Sequence, residues 1–240
     1  MRIGAQAKIV STISKGLNEK FGAVKPEGFE YEYLAYPCSD EELIEGIKDA
    51  DVLFVSPMEF IKRNVIESAP KLKLIHSLGA AFDKIDLEAA KEKGIYVCAN
   101  RGVNGMAVAE HAVLLMLASL KRLPYADAGC KEGAEGYKRV FSHYRATGHK
   151  ELSTRTVGLI GLGAIGKMAA NILNAFGCKI FYSDVVRADE ETEKKYNLHF
   201  TTYEEIYEKC DIISYHVPVL PSTTGIINKE AIAKMKQDVI

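Results

Sequence analysis

The sequence predicts an α/β protein whose strands form parallel sheets. Short runs rich in Val, Ile, Tyr and Phe alternate with helical patterns along the chain, and capping and glycine-rich signals separate them. The 240 residues suffice for two domains, and 48% apolar residues is ordinary for a protein with sizeable cores.

The first part of the chain contains five predicted strands with helices between them. The strands cover residues 8–13, 29–36, 51–56, 72–78 and 95–100. One helix begins at Ser39, which fits an S-x-x-E capping box with Glu42. Two further helices are predicted over 60–68 and 86–93. This alternation predicts a parallel sheet with helices on both faces.

Residues 104–121 form the longest apolar helical pattern of the chain. A helix that is apolar on most sides is expected to be buried on most sides, which suits a connector between two domains. The next segment, 122–152, contains four glycines and a proline and is predicted to be an irregular surface excursion.

Alternation resumes in the second part of the chain. Strands are predicted over 156–161, 179–184, 198–202 and 211–217. A second capping box, Thr202 with Glu205, begins one of the helices between them. A short helix is expected to end near Met235, and residues 239–240 are expected to open a further strand.

Composition excludes several classes of function. The formal net charge is −1 with both signs interspersed, so we predict no nucleic-acid or anionic-membrane partner. No apolar run approaches the ~18 residues of a membrane span, and the N-terminus lacks a signal-peptide pattern. The five cysteines are dispersed without metal-ligand spacing, so we predict reduced thiols, no metal site and a cytoplasmic location.

Residues 161–166, GLGAIG, match the G-x-G-x-x-G pattern between a predicted strand and a predicted helix. In this pattern Gly161 permits the tight turn, Gly163 lets a pyrophosphate approach the backbone, and Gly166 lets the helix pack closely. Unpaired N–H groups at the helix N-terminus favour phosphate. The alternative, glycines that only shape a turn, is disfavoured because all neighbouring elements are present.

The next strand ends on Asp184, whose carboxylate can accept hydrogen bonds from both hydroxyls of the adenosine ribose. The same carboxylate would repel a 2′-phosphate, so NAD is favoured over NADP. Arg187 follows three residues later and keeps use of both cofactors open.

Two further loops are candidate site elements. Strand 211–217 is expected beside the glycine-rich strand, so that Val217, Pro218 and Thr223 reach the cofactor. His216 is favoured as a structural group over a catalytic acid. The loop within 76–86, HSLGAAFDKID, offers successive backbone N–H groups to an anion, but an ordinary β–α turn explains its residue types equally well.

Together these stretches resemble the D-isomer-specific 2-hydroxyacid dehydrogenase family, which includes D-lactate, phosphoglycerate, glyoxylate and formate dehydrogenase-like members. The resemblance is carried, in order, by GAAFDKIDLEAAKEKGIYV, GVNGMAVAEHAVLLML, VGLIGLGAIGK and DIISYHVPVLPSTTGIINKEAIAKMK. It implies a flavodoxin-like substrate domain over 1–101 and a doubly wound Rossmann NAD-binding domain over 102–240 that begins with an interdomain helix. It also implies hydride transfer between NAD(H) and a small 2-keto or 2-hydroxy acid, in a homodimer.

The resemblance also implies roles for particular residues. The amides of Ala80 and Ala81 would bind the substrate carboxylate, and Asn104 would lie at the hinge near the substrate. Cofactor contacts are implied for Gly161, Gly163, Ala164, Ile165, Gly166, Asp184, Val217, Pro218 and Thr223.

Two positions depart from the family pattern. Ala81 stands where the family usually has the second glycine of a G-x-G, so the loop dihedrals differ if that glycine takes a positive φ. Arg101 stands where the family commonly has proline, and we expect it to face solvent.

The resemblance places the family's catalytic Arg, Glu and His beyond Ile240, so we assign no catalytic residue here and expect the second domain to be truncated after its fourth strand. Hydride transfer to a ketone needs a proton donor and a cation for the carboxylate. Activity of these 240 residues alone therefore stays open. The alternative function is a non-catalytic NAD-binding or oligomerisation module of the same fold.

Overall fold

The protein was analysed as a computed structural model that describes residues 7–16, 28–100, 102–148 and 150–240. It divides into two compact units, Met1–Val103 and Asn104–Ile240. Each unit contains one parallel sheet. No described helix is long and apolar enough to cross a membrane.

The first unit has a five-stranded sheet in the order β2-β1-β3-β4-β5, and every pairing is parallel. Its elements are β1 (Lys8–Ser11), β2 (Glu30–Tyr33), α1 (Asp40–Ile47), β3 (Val52–Val55), α2 (Arg63–Glu67), β4 (Leu74–Ser77), α3 (Leu87–Glu92) and β5 (Tyr96–Ala99). All five predicted strands are present, with ends that differ by a few residues.

The helices of the first unit lie where local signals predicted them, although one is shorter. Ser39 and Glu42 form the reciprocal capping box at the start of α1. Helix α2 is shorter than the predicted 60–68, because the backbone of Ile61 pairs with Ile85 in a parallel bridge. The core between sheet and helices contains fully buried aliphatic side chains, among them Leu53.

The second unit has a four-stranded parallel sheet in the order β8-β7-β6-β9. Its elements are α4 (Gly105–Leu120), α5 (Leu123–Lys131), α6 (Ala134–Thr147), a 3₁₀ turn (Leu152–Thr154), β6 (Thr156–Ile160), α7 (Ala164–Ala175), β7 (Lys179–Ser183), α8 (Glu190–Tyr196), β8 (Leu198–Phe200), α9 (Tyr203–Lys209), β9 (Ile212–Tyr215) and α10 (Lys229–Ala233). This strand order matches the 3-2-1-4 half of a doubly wound fold.

The predicted irregular excursion over 122–152 is wrong, because α5 and α6 occupy most of it. Two of its glycines are packing contacts between these helices. A Cβ on Gly136 would overlap the carbonyl oxygen of Gly129, and a Cβ on Gly129 would overlap the side chain of Val140. Glycine at these two positions permits close helix packing. The other two glycines of the segment, Gly133 and Gly148, lie at the ends of α6 and have positive φ.

The expectation that the 104–121 helix is buried on most sides is also wrong. Helix α4 buries one stripe, Gly105, Ala109, Val113, Met116 and Leu120. Met106, Leu114 and Leu115 on other faces are 47%, 51% and 55% exposed. The helix therefore packs against α7 with one face and presents a second apolar face.

Strand β9 lies at one edge of the described sheet, and the last residue pairs with it. Ile240 donates its N–H to the carbonyl oxygen of Asp211 at 3.0 Å, and Ile213 donates to Ile240 at 2.8 Å. These two bonds have the pattern of a parallel ladder, as the strand predicted to open at 239–240 requires.

Candidate functional site

The turn that follows β6 requires glycine at two positions. Gly161 has φ of +98°, and a Cβ there would lie 2.8 Å from the backbone of His216. A Cβ on Gly166 would overlap the carbonyl oxygen of Gly161, so Gly166 lets α7 begin directly against the turn. The sequence interpretation of these two glycines agrees with this geometry.

Gly163 differs from its neighbours because nothing lies within 4 Å of the place where its Cβ would be. It is the N-cap of α7 and has no side-chain cap, and Gly163 and Ala164 are exposed while Ile165 is half-buried. The first-turn N–H groups of a helix have no intrahelical acceptors. Open space therefore adjoins backbone donors and the positive end of a 12-residue helix.

Asp184 follows β7 and lies against the glycine turn. Its Oδ2 accepts the N–H of Leu162 at 2.6 Å, and its Oδ1 accepts the N–H of Val186 at 3.4 Å. The sequence required this carboxylate to lie beside the turn, and the contact with Leu162 shows that it does. Val185 and Val186 next to it are 96% and 74% exposed, which leaves apolar surface beside the acid.

His216 follows β9 and packs behind the turn. Its N–H donates to Ile160 at 2.7 Å, and its Nε2 lies 3.0 Å from the hydroxyl of Ser214. Burial lowers the pKa of His216 below its usual value, so the ring is neutral at neutral pH. A neutral, hydrogen-bonded ring beside the turn fits the structural role that the sequence favoured.

The residues after β9 form a closed loop next to the turn. The side chain of Val217 lies 3.0 Å from the position of a Cβ on Gly161. The Thr223 hydroxyl donates to the carbonyl oxygen of Pro218 at 2.6 Å and accepts the N–H of Leu220 at 2.9 Å. Thr223 therefore shapes the loop that follows β9, a contact that the sequence did not indicate.

In the first unit, the carbonyl groups of the loop after β4 accept hydrogen bonds from Ser77 at the end of β4 and from Asn100 after β5. The Ser77 hydroxyl donates to the carbonyl of Ala81 at 2.5 Å. Asn100 donates its backbone N–H to Gly79 at 2.9 Å and its side-chain amide to Leu78 at 3.3 Å. These hydrogen bonds fix the carbonyl groups of Leu78, Gly79 and Ala81.

The N–H groups of Ala80 and Ala81 have no acceptor among the described residues. Neither alanine has a positive φ, since Arg122 and Asn197 are the non-glycine residues with one in the described chain. The loop therefore accommodates alanine without strain. Gly79 is the glycine that the loop needs, because a Cβ there would lie 2.7 Å from the ring of Pro57.

Asn100 is in turn oriented by His76, whose Nε2 lies 2.9 Å from the Asn100 side-chain oxygen. Because the Asn100 amide group donates to Leu78, its oxygen must accept, and Nε2 of His76 must carry a proton. Sequence reasoning missed Ser77, His76 and Asn100, since their partners are separated from them along the chain by up to 24 residues.

Asn104 begins the second unit as the N-cap of α4, and its side chain makes no capping bond. Arg101 lies outside the described residues, so its predicted exposure is not tested. Within the described ranges, no group of three or more His, Cys, Asp or Glu side chains is arranged to hold a metal ion.

A 3-2-1-4 parallel sheet, a glycine turn into an uncapped helix and an acidic residue at the end of the next strand define a dinucleotide-binding Rossmann domain. The family model for "D-isomer specific 2-hydroxyacid dehydrogenase, NAD binding domain" matches residues 113–240. The chain belongs to the D-isomer-specific 2-hydroxyacid dehydrogenase family and carries its NAD-binding domain.

Curated relatives and solved structures agree with this membership. The chain is 38% identical to a glyoxylate reductase from Thermofilum pendens over 86% of its own length and 60% of the relative. It is 40% identical to a D-3-phosphoglycerate dehydrogenase from Methanocaldococcus jannaschii over 86% of its own length and 38% of the relative. The chain thus spans less than two thirds of these relatives.

A D-lactate dehydrogenase from Aquifex aeolicus, solved with NAD and lactic acid, is similar in structure with a TM-score of 0.78 and 29% identity. The match covers 97% of this chain and 67% of that one. The two-unit α/β architecture predicted from the sequence is therefore that of the family.

Proposed function

We propose that this chain belongs to an enzyme that transfers hydride between NAD(H) and a small 2-keto or 2-hydroxy acid. The observation that carries the proposal is the contact between Asp184 and the amide of Leu162, at the open N-terminus of α7. A dinucleotide bound there has its ribose at the acid and its pyrophosphate at the helix.

Each proposed cofactor contact has a physical reason. Gly163 leaves room for the pyrophosphate, and the N–H groups of Ala164 and Ile165 donate to it. Asp184 accepts from the ribose hydroxyls with the oxygen lone pairs not used by Leu162 and Val186. Gly161, Gly166, Val217, Pro218 and Thr223 shape the surrounding turn and loop.

For the substrate, we propose that the free amides of Ala80 and Ala81 bind the carboxylate. Two neighbouring N–H donors that have no acceptor in the described part of the chain are suited to an anion. We assign residues 1–101 to the substrate domain and 102–240 to the NAD-binding domain, with Asn104 at the hinge near the substrate. When bound, NADH supplies the hydride, and these residues bind and orient the two reactants.

We also propose a homodimer in the cytoplasm. Tyr137 and Phe141 stack on each other on α6 and are 57% and 50% exposed, which adds to the exposed apolar face of α4. Such surface commonly marks a protein interface. The five cysteines are free thiols, as a reducing compartment requires.

Titration calorimetry with NADH tests the proposal directly. Wild-type protein is expected to bind NADH, and Asp184→Ala is expected to weaken binding by about tenfold or more, since a hydrogen bond to a charged group contributes ~1.5–3 kcal/mol. The outcome against the proposal is wild-type protein that gives no heat with NADH, or an Asp184→Ala variant with unchanged affinity.

A second candidate function is a non-catalytic NAD-binding or oligomerisation module. It is favoured by the same cofactor platform, which needs no catalytic acid. Assays with NADH and pyruvate, glyoxylate or hydroxypyruvate separate the two. Binding of NADH without turnover of any of the three acids by the complete protein would favour the module.

A further inference from the structure

Arg187, three residues after Asp184, is held by Glu193 in a two-bond ion pair. Its Nε donates to Oε1 of Glu193 and its Nη2 donates to Oε2, each at 2.9 Å. The guanidinium also lies over the ring of Phe200, 5.5 Å from its centroid. A bidentate pair of this kind fixes the direction of the guanidinium as well as its position.

Glu193 is the fixed member of the pair. The hydroxyl of the fully buried Tyr182 donates to its Oε1 at 2.6 Å and itself accepts the N–H of Ala188 at 3.0 Å. The side chain of Glu193 is 13% exposed, whereas that of Arg187 is 62% exposed. Arg187 and then Tyr182 lower the pKa of Glu193 to about 2, so its carboxylate is ionised at neutral pH.

This arrangement sets the charge beside the proposed ribose site. Asp184 accepts only backbone N–H groups among the described residues, and no cation is paired with it. Asp184, Arg187 and Glu193 together carry one net negative charge. A 2′-phosphate adds nearly two more, and NADP-binding folds commonly meet it with an arginine near this strand end.

Arg187 is close enough to serve that purpose if it is released. Three residues span at most about 11 Å between Cα atoms, and the arginine side chain adds its own reach. An unpaired guanidinium binds phosphate in the same fork geometry in which it binds a carboxylate. The ion pair therefore disfavours a 2′-phosphate in addition to the carboxylate of Asp184, because it keeps the nearby guanidinium from binding that phosphate.

We propose that Glu193 strengthens the preference for NAD(H) that Asp184 begins: by holding Arg187 in the two-bond pair, it withholds a cation that could bind the 2′-phosphate of NADP(H). This inference rests on the proposed binding of NAD at Asp184. It assigns a selective role to a helix residue whose carboxylate is bonded to Tyr182 and Arg187.

Calorimetric titration of the full chain with NADH and with NADPH tests this role without any turnover. Glu193→Gln keeps the size of the side chain and an acceptor for Tyr182, but removes the charge. We expect it to lower the NADPH Kd about tenfold, as one released unit charge near a phosphate warrants. Its NADH Kd is expected to stay within about twofold, since the ribose hydroxyls carry no charge.

Glu191→Gln is the matched control, because Glu191 is exposed on the same helix and loses the same charge. It is expected to leave both dissociation constants within about twofold. The double variant Arg187→Gln/Glu193→Gln is expected to lose the gain in NADPH affinity. A gain that persists in the double variant, or an equal gain in Glu191→Gln, overturns the proposal.

If Glu193→Gln does not fold, Arg187→Gln alone provides a second test, again by calorimetric titration with NADH and NADPH. Because Arg187 is already withheld, its loss is expected to raise the ratio of NADPH to NADH Kd no more than Lys194→Gln does, since Lys194 is exposed on the same helix and its loss removes the same charge. A clearly larger rise in Arg187→Gln contradicts the role of Glu193. If wild-type protein binds NADH but Glu193→Gln leaves the ratio unmoved, this inference alone fails. If wild-type protein binds neither cofactor, the proposed function fails with it.

Discussion

The two units each present backbone N–H groups just after a parallel strand, but they fix those groups by different means. In the second unit the turn after β6 is held by the absence of side chains, since Gly161 and Gly166 sit where a Cβ would meet backbone. In the first unit the loop after β4 is held by side-chain and backbone donors from Ser77 and Asn100. Steric requirements fix one loop and hydrogen bonds fix the other.

The difference teaches where each loop is vulnerable. A turn shaped by close backbone approach fails when a single methyl group is added at the crowded position. A loop tied by hydrogen bonds fails when a donor is removed and a buried carbonyl loses its partner. Substitutions that change one or two atoms therefore separate the two mechanisms.

Gly166→Ala is expected to have the largest effect. The new methyl group would overlap the carbonyl oxygen of Gly161, and neither backbone segment can move without displacing α7. We expect a loss of about 1–3 kcal/mol or more in the free energy of unfolding, together with loss of measurable NADH binding. Urea denaturation followed by circular dichroism, and calorimetry, give the two values. An unchanged denaturation midpoint would show that the turn is not sterically fixed.

Asn100→Asp breaks the other loop with almost no change in size. The acid can still accept from His76 but cannot donate to the carbonyl oxygen of Leu78, which then faces a second oxygen. We expect a loss of about 1 kcal/mol in the free energy of unfolding, at the low end of the cost of an unpaired acceptor because Leu78 is only half-buried. Equal urea midpoints for variant and wild type would mean that the loop does not depend on this bond.

Gly163→Ala adds the same methyl group as Gly166→Ala three residues earlier and is its matched control. Its φ of −68° suits alanine, and nothing lies within 4 Å of the new Cβ. We expect the free energy of unfolding to stay within ~0.5 kcal/mol, while NADH affinity falls because the methyl occupies the approach of the pyrophosphate. Unchanged NADH affinity in a stable variant would remove Gly163 from the proposed site.

The smallest expected effect is a pH dependence of stability at the glycine turn. Burial lowers the pKa of His216, so the unfolded state binds more protons than the folded state as pH falls through the ordinary histidine range near ~6.5. Stability is therefore expected to be greater above this range and to decline below it. His216→Asn is expected to flatten that part of the pH profile, and thermal melts between pH 5 and 8 measure it. A parallel profile for the variant would show that another group is responsible.

Sequence reasoning was most successful where the signal was local. The alternation of apolar runs predicted all nine strands of the described chain, and Ser39 and Thr202 cap their helices as predicted. The glycine turn and the position of Asp184 were also predictable, because every participant lies within one strand–turn–helix–strand unit. Such motifs carry their geometry in the order of their residues.

It was least successful where the meaning of a residue depends on a distant partner. Glycines 129 and 136 were interpreted as signs of an irregular segment, but they let α5 and α6 pack closely. The apolar pattern of 104–121 indicated a helix buried on most sides, but burial depends on what covers each face, and α4 buries one face, against α7.

The sequence by itself determined the family, the parallel sheets and the glycine turn, since steric limits at neighbouring residues leave few alternatives. Only the tertiary structure decided that Ser77 and Asn100 hold the loop after β4, and that Arg187 forms an ion pair with Glu193. A side chain has many acceptors within reach in an unfolded chain, and folding selects one by bringing together segments that the sequence keeps apart.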